Sequence, residues 1–325
     1  MKYVDMHCDS LMEAYFTGKD TLMDVPTAMA DINRLHAAGC LAQVTAIFLP
    51  DASLWEWYKR EALSDRDYMA ALEKIYFNTL ERYPDKVRPL LCGADLKKNV
   101  TDGVVSTILA VEDARIVDGN IEKIDAMYQR GYRLFDPIWN NYNCFGAPMS
   151  KDPVVMHDGL TTFGKEAVLR MHELGILVDT SHMSDGGFYD IARLSDKPFI
   201  ASHSNCREIC HNPRNLTDDM IRTLANHGGY AGINFSPSML ADDNNGECSR
   251  IEDMVRHTLH FIQVGGEDIV GIGTDFDGIE GNLEIDSASK MDLLFDALKK
   301  AGLTERQLDK LSYENAARVL KDTLK

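Results

Sequence analysis

Residues Leu160–His182 read LTTFGKEAVLRMHELGILVDTSH. Phe163, Ala167, Met171 and Leu174 recur there every three or four positions, which makes one apolar stripe of a helix. Gly175 follows as a C-terminal stop. The chain then changes period. Ile176-Leu177-Val178 is a short apolar run without polar alternation, as expected of a parallel strand covered on both faces. Working outward, similar runs occur at Tyr3 to His7, Ala42 to Phe48, Thr107 to Val111 and Arg133 to Ile138. They continue at Ile176 to Asp179, Phe199 to Ser202, Tyr230 to Asn234 and Ile269 to Gly273. Helical patterns lie between them. Thr217, for example, is a plausible N-cap before Asp218 and Asp219. Eight strands alternating with helices, with no linker or low-complexity stretch, predict one α/β domain over residues 1–325, a (β/α)8 TIM-like barrel. An open doubly wound sheet is the competing architecture, weakened because no G-x-G-x-x-G follows an early strand. Leu54 to Tyr83 reads as an elaborated crossover within the same domain.

The composition narrows the function. Of the 325 residues 45% are hydrophobic and 26% charged, with a formal charge of −17. Such an acid excess repels phosphate backbones and anionic lipid, so nucleic acid and membrane surfaces are poor partners. Solvation of the surface accounts for the acidity better than any acidic binding role. The start MKYVDMHCDS has no basic segment followed by an apolar one, and no run approaches 18 apolar residues. The seven cysteines are scattered and form no CxxC pair. Reduced thiols and a cytoplasmic location are the expectation, with a homo-oligomer such as a dimer left open.

Residues able to hold metals gather at the strand ends, which in a barrel converge on one face. His7 and Asp9 stand two apart, and if the first strand runs through both, their side chains point the same way. Imidazole with carboxylate suits Zn²⁺ or a similar ion. Glu112 ends the run Ile108 to Val111, His182 follows Asp179-Thr180-Ser181, and His203 follows Phe199 to Ser202. Asp275 closes the last strand in Gly273-Thr274-Asp275-Phe276-Asp277-Gly278. Taken singly, each has a bland reading: a polar pair, a helix-start carboxylate, hydrogen-bonded histidines, a turn aspartate. Together, five strand ends present six such groups to one rim.

These residues resemble the membrane (renal) dipeptidase family of the metal-dependent amidohydrolase superfamily. The likeness runs through Asp5-Met6-His7-Cys8-Asp9, Val111-Glu112, Gly159 to Gly164 and Val178 to Ser184. It continues through Ala201 to Asn205, Pro213-Arg214-Asn215-Leu216 and Gly273 to Gly278. The resemblance implies two divalent metals, usually zinc. His7, Asp9 and Glu112 would hold one; Glu112 would bridge to a second held by His182 and His203. The fourth strand ends without the lysine that related barrels carbamylate. The chain departs from the family pattern twice. Mammalian members place a histidine where Trp139 stands, followed here by Asn140 and Asn141, so Asn140 or the metals would contact the substrate and Trp139 would wall the pocket. Asp113 replaces the usual glycine after the bridging glutamate, either narrowing the pocket, favouring a basic substrate end, or facing solvent.

The activity so implied is hydrolysis of a dipeptide by a bridging hydroxide. Asp275 would act as general base and Arg214 would pair with the substrate's C-terminal carboxylate. Two alternatives stand beside it. One is a different hydrolase of the superfamily, acting on a lactone or phosphoester or deaminating a base. The other is a non-catalytic metal-binding protein that has kept the barrel.

Overall fold

The computed structural model describes residues 1–244 and 246–325. Its strands are β1 (Tyr3–Asp5), β2 (Cys40–Phe48), β3 (Val87–Pro89), β4 (Val105–Glu112), β5 (Tyr132–Asp136) and β6 (Leu177–Val178). They continue as β7 (Ile200–Ala201), β8 (Tyr230–Ile233), β9 (Cys248–Ser249), β10 (Val270–Ile272) and β11 (Asn282–Leu283). Eight of them run parallel in the order β6-β5-β4-β2-β1-β10-β8-β7. A parallel bridge between Asp179 and Ile200, with Thr180 N–H donating to the Ile200 carbonyl at 2.7 Å, joins the two ends. The sheet is therefore a (β/α)8 barrel, as the alternating pattern predicts. Each of the eight predicted runs overlaps one barrel strand.

Two assignments in the barrel sheet differ from expectation, and the small β9–β11 sheet was not expected at all. Val87–Pro89 pairs with the start of β4, in the space that β5 occupies farther along, and was not read from the sequence. Three residues beginning in a Val and ending in a Pro are too short to show a period. The first strand also stops earlier than predicted. Asp9 adopts φ −107°, ψ 24° and opens the helix Ser10–Phe16, so His7 and Asp9 do not share one continuous strand.

The helices carry the caps their sequences supply. The Thr161 hydroxyl accepts from Gly164 N–H, Gly175 ends that helix at φ 80°, and Thr217 accepts from Met220 N–H. Apolar residues divide by strand parity. Val4, Met6, Val44, Ala46, Ile108, Ala110, Leu134, Leu177 and Ile200 fill the barrel, which Val319 and Leu320 of the last helix pack against from below. Leu109, Val111, Phe135 and Val178 face the surrounding helices. Continuing the inward phase past Ala110 and Leu134 puts Glu112 and Asp136 over the barrel interior. Two inward glycines are required by close approach. A Cβ on Gly232 or Gly273 would lie 1.9 or 1.8 Å from the Ser202 carbonyl oxygen, next to His203.

Candidate active site

Six expected residues meet at the C-terminal mouth of the barrel. His7 Nε2 lies 3.5 Å from Asp9 Oδ2, 3.3 Å from Glu112 Oε2 and 3.8 Å from Asp275 Oδ1. The other Glu112 oxygen, Oε1, is 2.9 Å from His182 Nε2, which is 3.1 Å from His203 Nε2. Glu112 thus stands between a His7–Asp9 group and a His182–His203 group. All five side chains are buried.

The serine before His203 aims it. Asp179, at the end of β6, accepts from Ser181 Oγ at 2.7 Å, from Ser202 N–H at 2.9 Å and from Ser202 Oγ. Ser202 Oγ also lies 2.7 Å from His203 Nδ1. A hydroxyl has one proton, and Ser202 gives it to Asp179, so His203 Nδ1 must donate. That leaves the Nε2 lone pair of His203 directed at the centre. Neither serine nor Asp179 was assigned this work from sequence, although the Ser-His pairs at both strand ends were the visible signal. Two more residues escaped. Asn234, ending β8, donates to Asp275 Oδ2 at 2.9 Å. Asp136 pairs in register with Glu112 and was hidden in an apolar run.

Burial and mutual charge set the titration of the cluster. Burial would raise the Glu112 carboxyl, but His7 and His182 hold it well below the ordinary range. Burial and the Arg214 guanidinium push His182 down to about 4. Burial pushes Asp275 up to about 7, with Asp9 and Glu112 adding to the rise and His7 opposing it. Burial and the Asp179 and Glu112 carboxylates drive Asp136 well above its ordinary value.

The donor set fits divalent metal. Among the described residues, the ring nitrogens of His7, Oδ1 of Asp9 and both Asp136 oxygens are buried without a hydrogen-bond partner. Unsatisfied buried lone pairs are costly, and cations among them would remove that cost. One atom each from Glu112, Asp136, His182 and His203 lie within 4.8 Å of one another; so do atoms of His7, Asp9 and Asp275. Nitrogen and carboxylate donors of this kind suit a first-row divalent ion.

Arg214 reaches the same centre. Its guanidinium is buried, with Nη2 2.9 Å from His182 Nε2 and Nη1 3.4 Å from Ser204 Oγ. Three asparagines hold its loop. Asn215 Nδ2 donates to the Cys210 and Met239 carbonyls, its Oδ1 accepts from Asn205 N–H, and Asn205 Nδ2 donates to the Asn234 carbonyl. A cavity of about 1230 Å³ opens over the cluster, bordered by Phe48, Trp139, Asn140, Arg214 and Asp275. Trp139 packs edge-on against Phe48 at 4.8 Å between ring centroids and lies 6.1 Å from His182, so it is a wall. Asp113 does none of the three things expected of it. Buried at φ 63°, it accepts from Arg115 Nη1 at 2.6 Å and Asn143 Nδ2 at 2.9 Å, fastening the loop behind Glu112.

Comparison with known proteins agrees with this geometry. The model of the membrane dipeptidase family, peptidase family M19, matches residues 1–325. The chain belongs to that family. As a member it is a metallo-dipeptidase, a hydrolase of peptide bonds. An uncharacterized Klebsiella pneumoniae protein encoded in the pqqA 5′ region is 34% identical over 241 residues, 73% of this chain and 89% of that protein. An uncharacterized dipeptidase of Schizosaccharomyces pombe is 31% identical over 225 residues, 68% of this chain and 54% of its own length. Among solved structures, the metallopeptidase dipeptidase AC superposes with TM-score 0.89 at 26% identity, over 100% of this chain and 99% of that one. A Rhodobacter sphaeroides metallopeptidase, bound to a phosphinate mimic of the dipeptide L-Ala-D-Ala, gives TM-score 0.89 at 26% identity, covering 99% of both. No helix among the described residues is long and apolar enough to cross a membrane.

Proposed function

We propose that this M19 member hydrolyses dipeptides bearing a free C-terminal carboxylate, using two divalent ions, zinc by expectation. His7, Asp9 and Glu112 would hold one, and Glu112, His182 and His203 the other. When bound, such ions polarise the scissile carbonyl and acidify the attacking water. The remaining work falls to the chain's own residues. Asp275 takes the water's proton on Oδ1, which faces His7, while Asn234 holds Oδ2, and then passes it to the leaving amine. Arg214 offers its planar fork to the substrate carboxylate. Trp139 and Asn140 border the substrate at the mouth.

The observation that carries this reading is a buried guanidinium 2.9 Å from a histidine of the metal cluster. A lactone or a neutral nucleobase brings no anion for that guanidinium, whereas a dipeptide places its carboxylate one residue beyond the bond to be cut. The Rhodobacter relative's bound dipeptide mimic supports a ligand of that size in the corresponding cavity. The test compares a dipeptide with its C-terminal amide on metal-loaded protein. Hydrolysis of the dipeptide with little of the amide is expected; equal hydrolysis of both would overturn carboxylate recognition.

A further inference from the structure

Asp136 ends β5, directly across from Glu112 in the parallel register, and shares its inward phase. Parallel partners in register project to the same face of a sheet, so the carboxylates of Glu112 and Asp136 stand side by side over the barrel. Asp136 is 1% exposed, and among the described residues neither of its oxygens has a hydrogen-bond partner. One of them lies within 4.8 Å of ligand atoms of Glu112, His182 and His203. A buried carboxyl without a hydrogen-bond partner is costly, and a divalent cation beside it would remove that cost.

We propose that Asp136 is a sixth protein ligand, a second carboxylate on the ion held by His182 and His203. This rests on the two-ion reading above and adds to it. The position becomes a site of two imidazoles and two carboxylates, Glu112 and Asp136. Two divalent ions bring four positive charges; Asp9 and Glu112 return two, and Asp136 returns a third. The result is a tighter hold on the second ion and a shift in preference towards oxygen-seeking metals such as Mn²⁺. Nothing in the linear pattern distinguishes Asp136 from an incidental polar residue. Its register with Glu112 does.

The experiment uses the full chain, stripped of metal, as wild type, D136N, D136T and H182A. Each is titrated with Zn²⁺ and with Mn²⁺ against a competing chelator, and its melting temperature is measured with and without metal. In D136N and D136T the first ion should bind as in wild type and the second at least about 10-fold more weakly, with the larger loss for Mn²⁺. On metal addition the variants should gain less in melting temperature than wild type, because one ligand to the second ion has gone. Retention of both ions at wild-type affinity in both variants would overturn the assignment. Loss of the second ion in H182A alone would show the two-ion reading standing while the role of Asp136 fell. If H182A also bound both ions as wild type does, the two-ion reading itself would fail.

Discussion

Arg214 and His182 meet edge to edge, with Nη2 of the guanidinium 2.9 Å from Nε2 of the imidazole. A guanidinium can only donate, so it points at the same lone pair that a metal would take. With an ion on that nitrogen, the guanidinium is free to turn its fork to another acceptor in the cavity. A substrate carboxylate supplies one. Because the bidentate, charge-assisted bond is worth about 1.5–3 kcal/mol, R214A should lower kcat/KM for dipeptides by roughly 10- to 100-fold. R214K should recover only part of the loss, since an ammonium has no planar fork. The loss should be confined to substrates with a free carboxylate. Equal damage to dipeptide and dipeptide amide would assign Arg214 to the metal cluster instead.

Asp275 is placed to accept a proton, and D275N keeps its size without its basicity. Turnover should fall by roughly 10²-fold or more while metal content stays at the wild-type level. Metal analysis beside single-turnover kinetics distinguishes the possibilities. Loss of metal would make Asp275 a ligand with His7 and Asp9, the group within 4.8 Å of one another.

Ser202 links Asp179 to His203 Nδ1, and removing its hydroxyl leaves that nitrogen without its acceptor. Outer partners of metal-binding histidines typically govern affinity by 10–100-fold, so S202A should release metal to a chelator at correspondingly lower concentration. Folding should be largely kept, because the Ser202 N–H still donates to Asp179. Wild-type chelator resistance would remove the orienting role.

His257 predicts a pH effect away from the metals. Burial pushes its pKa down to about 4, and it sits between the Cys206 N–H and the Leu240 carbonyl. Its Nδ1 accepts from the amide, so a second ring proton has no place. The unfolded chain binds that proton near pH 6.5 and the folded chain only near pH 4. The associated stability is complete above pH 6.5 and is lost as pH falls towards 4, by up to about 3 kcal/mol. Urea unfolding of metal-free wild type and H257Q between these limits should show a steeper acid decline for wild type. Parallel curves would contradict the argument.

The local pattern of the chain determined its barrel elements and pointed to its candidate site residues. Short apolar runs separated by capped helices specify parallel strands with crossovers, and eight of these without an early G-x-G-x-x-G favour a barrel over an open doubly wound sheet. The residues following those runs were legible as candidate site residues because a barrel brings all its strand ends to one rim. Hence His7, Glu112, His182, His203 and Asp275 could be named from their places after strands. Tertiary structure decided what depends on register, backbone angle or partner. Asp9 precedes a helix where a longer strand was expected, yet still reaches His7, because the chain bends at the mouth. Asp113, beside Glu112 in sequence, turns at φ 63° to meet Arg115 and Asn143 and leaves the cavity to others. Asp136 looked like part of an apolar strand and became a neighbour of the metal cluster through its pairing with Glu112. Periodicity is a property of adjacent residues and can be read along one chain. Whether a buried carboxylate meets an arginine, a serine or a ligand set is fixed by strands and loops far apart in sequence, and only folding brings them together.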